Sequence, residues 1–546
     1  MAIITFSRKE FEKDIGKLDE KMQNQIAMLG TTLEKFNAEE IEIEVFPNRP
    51  DLLSYHGFKR ALLAFLGKKK GLKEYKLNKP GKDFIVKIEK SVNNIRPYTA
   101  CAIVKNLKFN DEKIKEVIDI QEKLHTTVGR NRKKLAIGVY PLEKITLPIQ
   151  YKAESPEEIK FLPLEETQEM TGRQILMRTS TGREYSHLLK DKQLYPVFRD
   201  SKNEVLSMPP IINSQLTGKV DEKTEDVFIE CSGFDLEVLK KTLSILVTTL
   251  AEMGGEIYQM NLQYPSKKIV TPDLSPEKIK ISIEDANKLL GLDLKETEVK
   301  KLLEKMGYNY NPKNKEVEIP SYRVDILHPV DIYEDIAIAY GYENITPEIP
   351  NISTLGEENE TEVKKRKITE ILTGLGFLEI STYHLSTKKE QFKNMNLKQA
   401  DNSVIEVLDS KTEFSLLRNN LLAQACRVLM QNSDSEFPQK IFEIGKVFSQ
   451  DKETGEIIEK EKLCITIAGE TNFTEIKQIL EYLLKMLDLK IEIKESEHPS
   501  FIEGRVGKIM LNKKDIGVLG EVSPQVLKNW KIKMPVSALE IEIEGL

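Results

Sequence analysis

The stretch Ile319-Pro-Ser-Tyr-Arg-Val-Asp-Ile-Leu-His-Pro-Val-Asp-Ile-Tyr-Glu-Asp-Ile-Ala-Ile-Ala-Tyr-Gly-Tyr342 brings Arg323 and the four carboxylates Asp325, Asp331, Glu334 and Asp335 into one short window. Carboxylates gathered this closely repel one another unless a cation sits among them. Magnesium takes hard oxygen ligands in an octahedral shell and usually keeps several waters, so one chain need supply only part of its set. Arg323 is a second candidate for the same charge. A third reading needs no cation, because acids in the first turn of a helix complement the helix dipole, which accounts for Asp331 and Glu334. Spacing leaves the three open.

The element that must position these groups is a helix. Pro329 suits a first turn, Ile332, Ile336 and Tyr340 recur at helical spacing, and Gly341 ends the run. Asp331, Glu334 and Asp335 then stand at i, i+3 and i+4 on one face, with Asp325 in the extended entry.

At 546 residues the chain is long enough for several domains with real cores. Lys+Arg 81 against Asp+Glu 87 gives a net charge of −6, which excludes a global basic field, so any RNA contact must be local. Cys101, Cys231, Cys426 and Cys464 are scattered without a Cys-x-x-Cys pair, the pattern of free thiols in a reducing compartment. The start lacks the apolar core of a signal peptide, and no apolar run approaches a membrane span, so a cytoplasmic protein without membrane contact is expected. A charged fraction of 31%, mostly Lys and Glu, resembles a thermophile's surface.

Punctuation divides the chain. A mixed helix and strand region over 1–90 ends near Asn78-Lys-Pro-Gly81; an α+β region with many short β-rich runs covers 91–265. The acidic motif belongs to a small domain at 270–350, where a helix over Glu296 to Met306 stops at Gly307. Pro347, Pro350 and Gly356-Glu-Glu-Asn-Glu360 precede a last domain over 355–546. Asn48-Arg-Pro-Asp51 reads as a turn into a helix over Leu52 to Leu66, with Asp51 near its N-cap. His125 and His328 are candidate ligands by residue type, but lone histidines beside turns read more readily as capping or packing groups.

Four stretches, in order, resemble one family, the beta subunit of phenylalanine–tRNA ligase. They are the acidic segment; Phe46-Pro-Asn-Arg-Pro-Asp-Leu-Leu-Ser-Tyr-His-Gly57; Ser207-Met-Pro-Pro-Ile-Ile-Asn213 with Thr224 and Glu230; and a terminal set including Leu417-Arg-Asn-Asn-Leu-Leu422, Phe442-Glu-Ile-Gly-Lys-Val-Phe448 and Leu519-Gly-Glu-Val-Ser-Pro524. The length and the block Leu124-His-Thr-Thr-Val-Gly-Arg-Asn-Arg-Lys-Lys134 look like the archaeal and eukaryotic form, which lacks the added terminal modules of the bacterial one.

The resemblance implies an α+β, multidomain chain: a class II synthetase-like antiparallel sheet domain at the C-terminus, an α+β editing domain and a small winged-helix-like domain. It places magnesium on Asp325, Asp331, Glu334 and Asp335. It implies an α subunit partner in an (αβ)2 heterotetramer, with tRNA(Phe) as the RNA. Class II catalysis needs an arginine in Phe-Arg-x-Glu and another behind a glycine-rich strand to neutralise the ATP phosphates. Here Asn419 and Asn420 follow Arg418, and Arg505 sits in Glu-Gly-Arg, so the terminal domain is expected to keep the fold without the ATP site.

Editing follows from energetics. An apolar pocket rejects an isostere with one added hydroxyl by only about a hundredfold, so tyrosine slips in for phenylalanine and a second, hydrolytic site has to remove it. Such a site needs buried polar groups for the phenol and donors that orient water. Asn213, Ser214, Ser207 and Asp235 are the candidates, with Pro209-Pro210 as wall. Gly129-Arg-Asn-Arg-Lys-Lys134 and Lys68-Lys-Lys70 are the local basic runs available to RNA phosphates, although solvated surface explains them equally. Two other classes compete: a stand-alone aminoacyl-tRNA deacylase, which has no use for the terminal domain, and a nucleic-acid-binding scaffold built on the winged-helix-like segment.

Overall fold

Runs such as Tyr98–Lys105 and Val227–Gly233 are apolar on both faces, which demands a sheet covered on both sides. In the computed structural model, which describes residues 2–398, 404–451 and 453–544, these are the inner strands of a five-stranded sheet. Its order is Leu77–Asn78, Glu256–Tyr258, Tyr98–Lys105, Val227–Gly233, Leu135–Pro141. Alternate residues divide between two cores. Cys101, Ile103, Tyr140 and Phe228 pack with Val86, Ile149, Tyr151 and Phe198 of a seven-stranded sheet. Ala102, Val104, Ile137 and Ile229 face the other way, into a core that includes Leu239, Leu243 and Leu250 of the helix Leu236–Glu252. Each fully buried Leu or Ile there contributes about 1.5–3 kcal/mol.

The chain divides into two compact units, Met1–Ile349 and Pro350–Leu546. In the first, a three-stranded antiparallel sheet (Ala2–Ser7, Glu40–Val45, Thr32–Phe36) opens the chain. The acidic segment joins a second three-stranded sheet, in the order Glu277–Lys280, Glu316–Ile319, Asn309–Asn311, to the helix Pro329–Tyr340. The helices Ile283–Leu290 and Glu296–Lys305 precede the hairpin, the helix-then-wing order anticipated for a winged-helix-like domain. The helix Pro329–Tyr340 begins and ends where its sequence says: Ile332 and Ile336 are fully buried, and Gly341 takes φ +95° beyond the last turn.

The second unit is a seven-stranded sheet, Leu378–Glu379, Gln439–Gln450, Ile457–Ala468, Val536–Glu542, Lys514–Val522, Phe501–Leu511, Glu492–Glu495, antiparallel except at its first edge. Two cores flank it, one around Leu422, Leu429 and Trp530, the other around Ile476, Leu480 and Leu483 of the helix Phe473–Met486. With helices on both faces of an antiparallel sheet, it matches the expected class II synthetase-like architecture.

One local expectation is corrected. The helix after Asn48-Arg-Pro-Asp51 runs Tyr55–Phe65, preceded by a tight turn at Pro50–Leu52, and its cap is Ser54, whose Oγ accepts from Gly57 N at 3.0 Å. Asp51 is instead gripped by both arms of Arg49 at 2.9 Å, and a Cβ at Gly57 would stand 2.1 Å from the Asp51 carbonyl. An arginine two residues before the acid offers a charged fork that outcompetes a capping role.

Candidate functional site

The strand register brings Glu230 level with Gly138 on one sheet and Ser207 level with Asn213 on the other. Between them lies a cavity of about 610 Å3, also lined by His125, Arg132, Thr181, Pro209 and Pro210. Ser207, Asn213 and Glu230 of its wall meet behind it around the fully buried Tyr140, which does not itself line the cavity. The phenol Oη is 2.8 Å from Ser207 Oγ, 3.3 Å from Glu230 Oε1 and 3.5 Å from Asn213 Oδ1, and its single proton can serve only one of these at a time. Gly138 is required by this arrangement, since a Cβ there would stand 2.1 Å from the Tyr140 oxygen.

Burial pushes the Glu230 carboxyl up to about 8, against the opposing pull of Arg96 and of hydrogen bonds from Tyr140 and Ser232. At neutral pH it is therefore largely an uncharged acid. Burial likewise pushes the Tyr140 phenol up, so it stays protonated. His125 is spoken for: its Nε2 accepts from Ile137 N at 2.8 Å, which puts the proton of the neutral ring on Nδ1, 3.2 Å from Glu122 Oε1. Burial pulls its pKa below the usual value. Arg132 reaches back from a turn with positive φ at Arg130, Asn131 and Arg132 and donates to the Ile211 carbonyl at 2.9 Å, fixing the loop after Ser207.

Three residues lining this cavity each carry a buried polar atom with no partner among the described residues: Glu230 Oε2, Thr181 Oγ1 and Arg132 Nε. Orphaned groups are costly, and a wall that collects three is shaped for a polar ligand or water. No serine here pairs with a free imidazole nitrogen, so the geometry offers no activated serine nucleophile. It offers fixed donors and acceptors around a space where a water can attack.

Of the four residues expected to serve this chemistry, Ser207 and Asn213 line the cavity together. Ser214 caps the short helix Gln215–Gly218, and Asp235 caps Leu236–Glu252 by accepting from Glu237 N and Val238 N; neither lines the cavity. Sequence reasoning missed Tyr140 and gave Glu230 no chemical role, while His125, expected as a capping or packing group, is buried and accepts from Ile137 N. The available signal was an acid inside the otherwise apolar run Val227–Gly233, which must be buried.

The four carboxylates of the acidic segment do not converge. Arg323 lies among them, with Nε and Nη2 on Asp325 at 2.9 and 2.8 Å and Nη2 on Asp335 at 2.7 Å. Tyr308 also donates to Asp335. Asp331 caps its own helix, accepting from Leu327 N and His328 N at 2.8 Å, and Glu334 is exposed. Among the described residues no cluster of three or more His, Cys, Asp or Glu is arranged to hold a metal ion. The donor set does not fit a magnesium shell in this arrangement, because the oxygens it would need are already spent on an arginine and two backbone amides. Of the readings open from spacing, Arg323 as the resident cation is the one realised, joined by the helix-start role of Asp331.

In the second unit, Arg418 is fully buried and bound to Glu443 at 2.6 Å, to the Thr382 hydroxyl at 2.8 Å and to the Lys446 carbonyl at 2.7 Å. Its Nε and Nη1 are thereby committed to the domain's own acceptors. Arg505 pairs with Glu521 at 2.6 Å.

Three family models match in succession: the B3/4 domain over residues 82–250, the tRNA synthetase B5 domain over 279–342 and the phenylalanyl tRNA synthetase beta chain CLM domain over 345–543. The phenylalanine–tRNA ligase beta subunit of Pyrococcus abyssi is 41% identical over 505 residues, 91% of this chain and 90% of its own length. That of Archaeoglobus fulgidus is 38% identical over 549 residues, covering 100% and 98%. A solved N-terminal fragment of the Pyrococcus horikoshii phenylalanyl-tRNA synthetase beta subunit superposes with a TM-score of 0.59 at 38% identity, covering 62% of this chain and 99% of the fragment.

Proposed function

The chain belongs to the phenylalanine–tRNA ligase beta subunit family, and from that membership we propose a division of labour: an α subunit attaches phenylalanine to tRNA(Phe), and the cavity at 91–265 hydrolyses Tyr-tRNA(Phe) made in error. The two subunits assemble as an (αβ)2 heterotetramer in the cytoplasm. Among the described residues no helix is long and apolar enough to cross a membrane.

The observation that carries the hydrolytic half is the cavity wall with its three orphaned polar atoms and its uncharged Glu230. A tyrosine ester differs from a phenylalanine ester by one hydroxyl. A site that leaves a buried polar group unpaired unless that hydroxyl arrives discriminates far better than an apolar pocket can. Glu230, backed by Tyr140, is the group suited to the phenol, and Asn213 and Ser207 those suited to orient water or the ester carbonyl. Ser214 and Asp235 hold the helix starts around them. The attacking water adds to the carbonyl carbon, and the ribose oxygen leaves with a proton.

The synthetic half is assigned elsewhere because Arg418 is sequestered by Glu443. The ligase as a whole uses magnesium; no step on this chain is routed through it, and the assignment to Asp325, Asp331, Glu334 and Asp335 would require Arg323 to release two of them. The division is tested by phenylalanine-dependent pyrophosphate exchange. The isolated chain is expected to give none, and the αβ complex carrying Arg505→Ala is expected to retain the wild-type rate. Exchange by the isolated chain, or its loss in that complex, contradicts the reading.

A further inference from the structure

A second cavity, of about 290 Å3, is lined by Arg49, Arg60 and Arg323 and by the exposed Lys69 and Lys70. Charge accounting sets it apart. Arg49 is neutralised by Asp51, Arg323 by Asp325 and Asp335, and Lys73 by Glu252. Lys68, the first of the three lysines, donates to the Ile15 carbonyl and is committed elsewhere. Among the described residues that leaves Lys69 and Lys70 without an ion pair, and Arg60 without a direct one, although Asp51 and Glu252 on the same wall lie within coulombic range of it.

Arg60 is 8% exposed. It donates from Nη1 to Tyr75 Oη at 3.1 Å and lies 3.5 Å above the Tyr322 ring, but its Nη2 has no acceptor among the described residues. Arg323 Nη1, on the same wall, also lacks one. A buried guanidinium with an idle Nη2, backed by two flexible ammonium groups at the surface, suits a tetrahedral dianion: Nη2 donates to an oxygen and the lysines supply charge.

We infer that this cavity binds a phosphate group, carried either by a free phosphorylated compound or by an RNA backbone. The stacked Tyr322 and the Tyr75 hydrogen bond hold Arg60 in place before the ligand arrives, so little ordering is lost on binding.

The test uses the complex co-expressed with its α subunit, inorganic phosphate as probe, and calorimetry at constant ionic strength. Lys69→Gln/Lys70→Gln is the variant of choice, because both side chains are exposed and the fold does not depend on them. Saturable phosphate binding is expected in the wild type, and roughly tenfold weaker binding in the variant, the loss appropriate to two exposed charges. Filter binding of tRNA distinguishes the sources. If tRNA affinity falls with the phosphate response, and the salt slope drops by about one, the phosphate is the RNA's. If tRNA binding is unchanged while the phosphate response is lost, the occupant is a free phosphorylated compound. No saturable binding, or binding that the variant leaves unaltered, overturns the inference.

Discussion

Glu230 carries the sharpest consequence at the scale of single residues. Its carboxyl titrates near 4.5 when unfolded and near 8 when folded. Between those values the folded chain holds a proton that the unfolded chain releases, so the contribution to stability is full below pH 4.5 and is lost as pH rises through 8. Glu230→Gln keeps the shape and removes the titration. The drop in Tm between pH 5.5 and 8.5 is therefore expected to be smaller in the variant than in the wild type; an equal drop would show that Glu230 is already ionised. The sequence announced this acid only indirectly, as one charge in a buried strand. Ser207 and Asn213 were legible as polar residues flanking Pro209-Pro210. Asp235 was misleading because an Asp two residues before Glu237 is equally a helix cap, and local hydrogen bonding to Glu237 N and Val238 N prevails there.

For elements, the helix Pro329–Tyr340 was readable almost to the residue, since proline, apolar spacing and glycine agree. What spacing alone could not decide is which cation its acids meet. That depended on Arg323 folding back over two residues to Asp325 and across twelve to Asp335, a contact set by packing beneath Tyr308. The same Arg-x-Asp fork recurs at Arg49 and Asp51. Removing one partner of a buried ion pair typically costs roughly 3–5 kcal/mol, so Arg323→Met is expected to lower the Tm by many degrees while excess EDTA leaves the wild-type Tm unchanged. Thermal melts with and without chelator check both. A large loss of Tm on chelation would restore a resident metal to this segment.

Across the whole molecule, order of motifs was more informative than any one of them. Composition bounded the answer to a multidomain chain without a basic field, and the four ordered stretches supplied the family; neither could place Tyr140 against Glu230, because those residues are ninety apart and meet only through strand pairing. Likewise the missing glutamate after Arg418 hinted at a lost ATP site, while the buried pairing of Arg418 with Glu443 that supports it required the folded sheet.

The central claim is that this chain's own chemistry is hydrolysis in the cavity of Ser207, Asn213 and Glu230. It is tested by the rate at which the αβ complex deacylates preformed Tyr-tRNA(Phe) and Phe-tRNA(Phe). The wild type is predicted to clear the tyrosyl ester much faster than the phenylalanyl ester. Asn213→Ala is predicted to slow tyrosyl clearance by about a hundredfold, the scale of losing one positioned polar group, without changing phenylalanine attachment. Tyrosyl clearance at the wild-type rate in that variant would contradict the account.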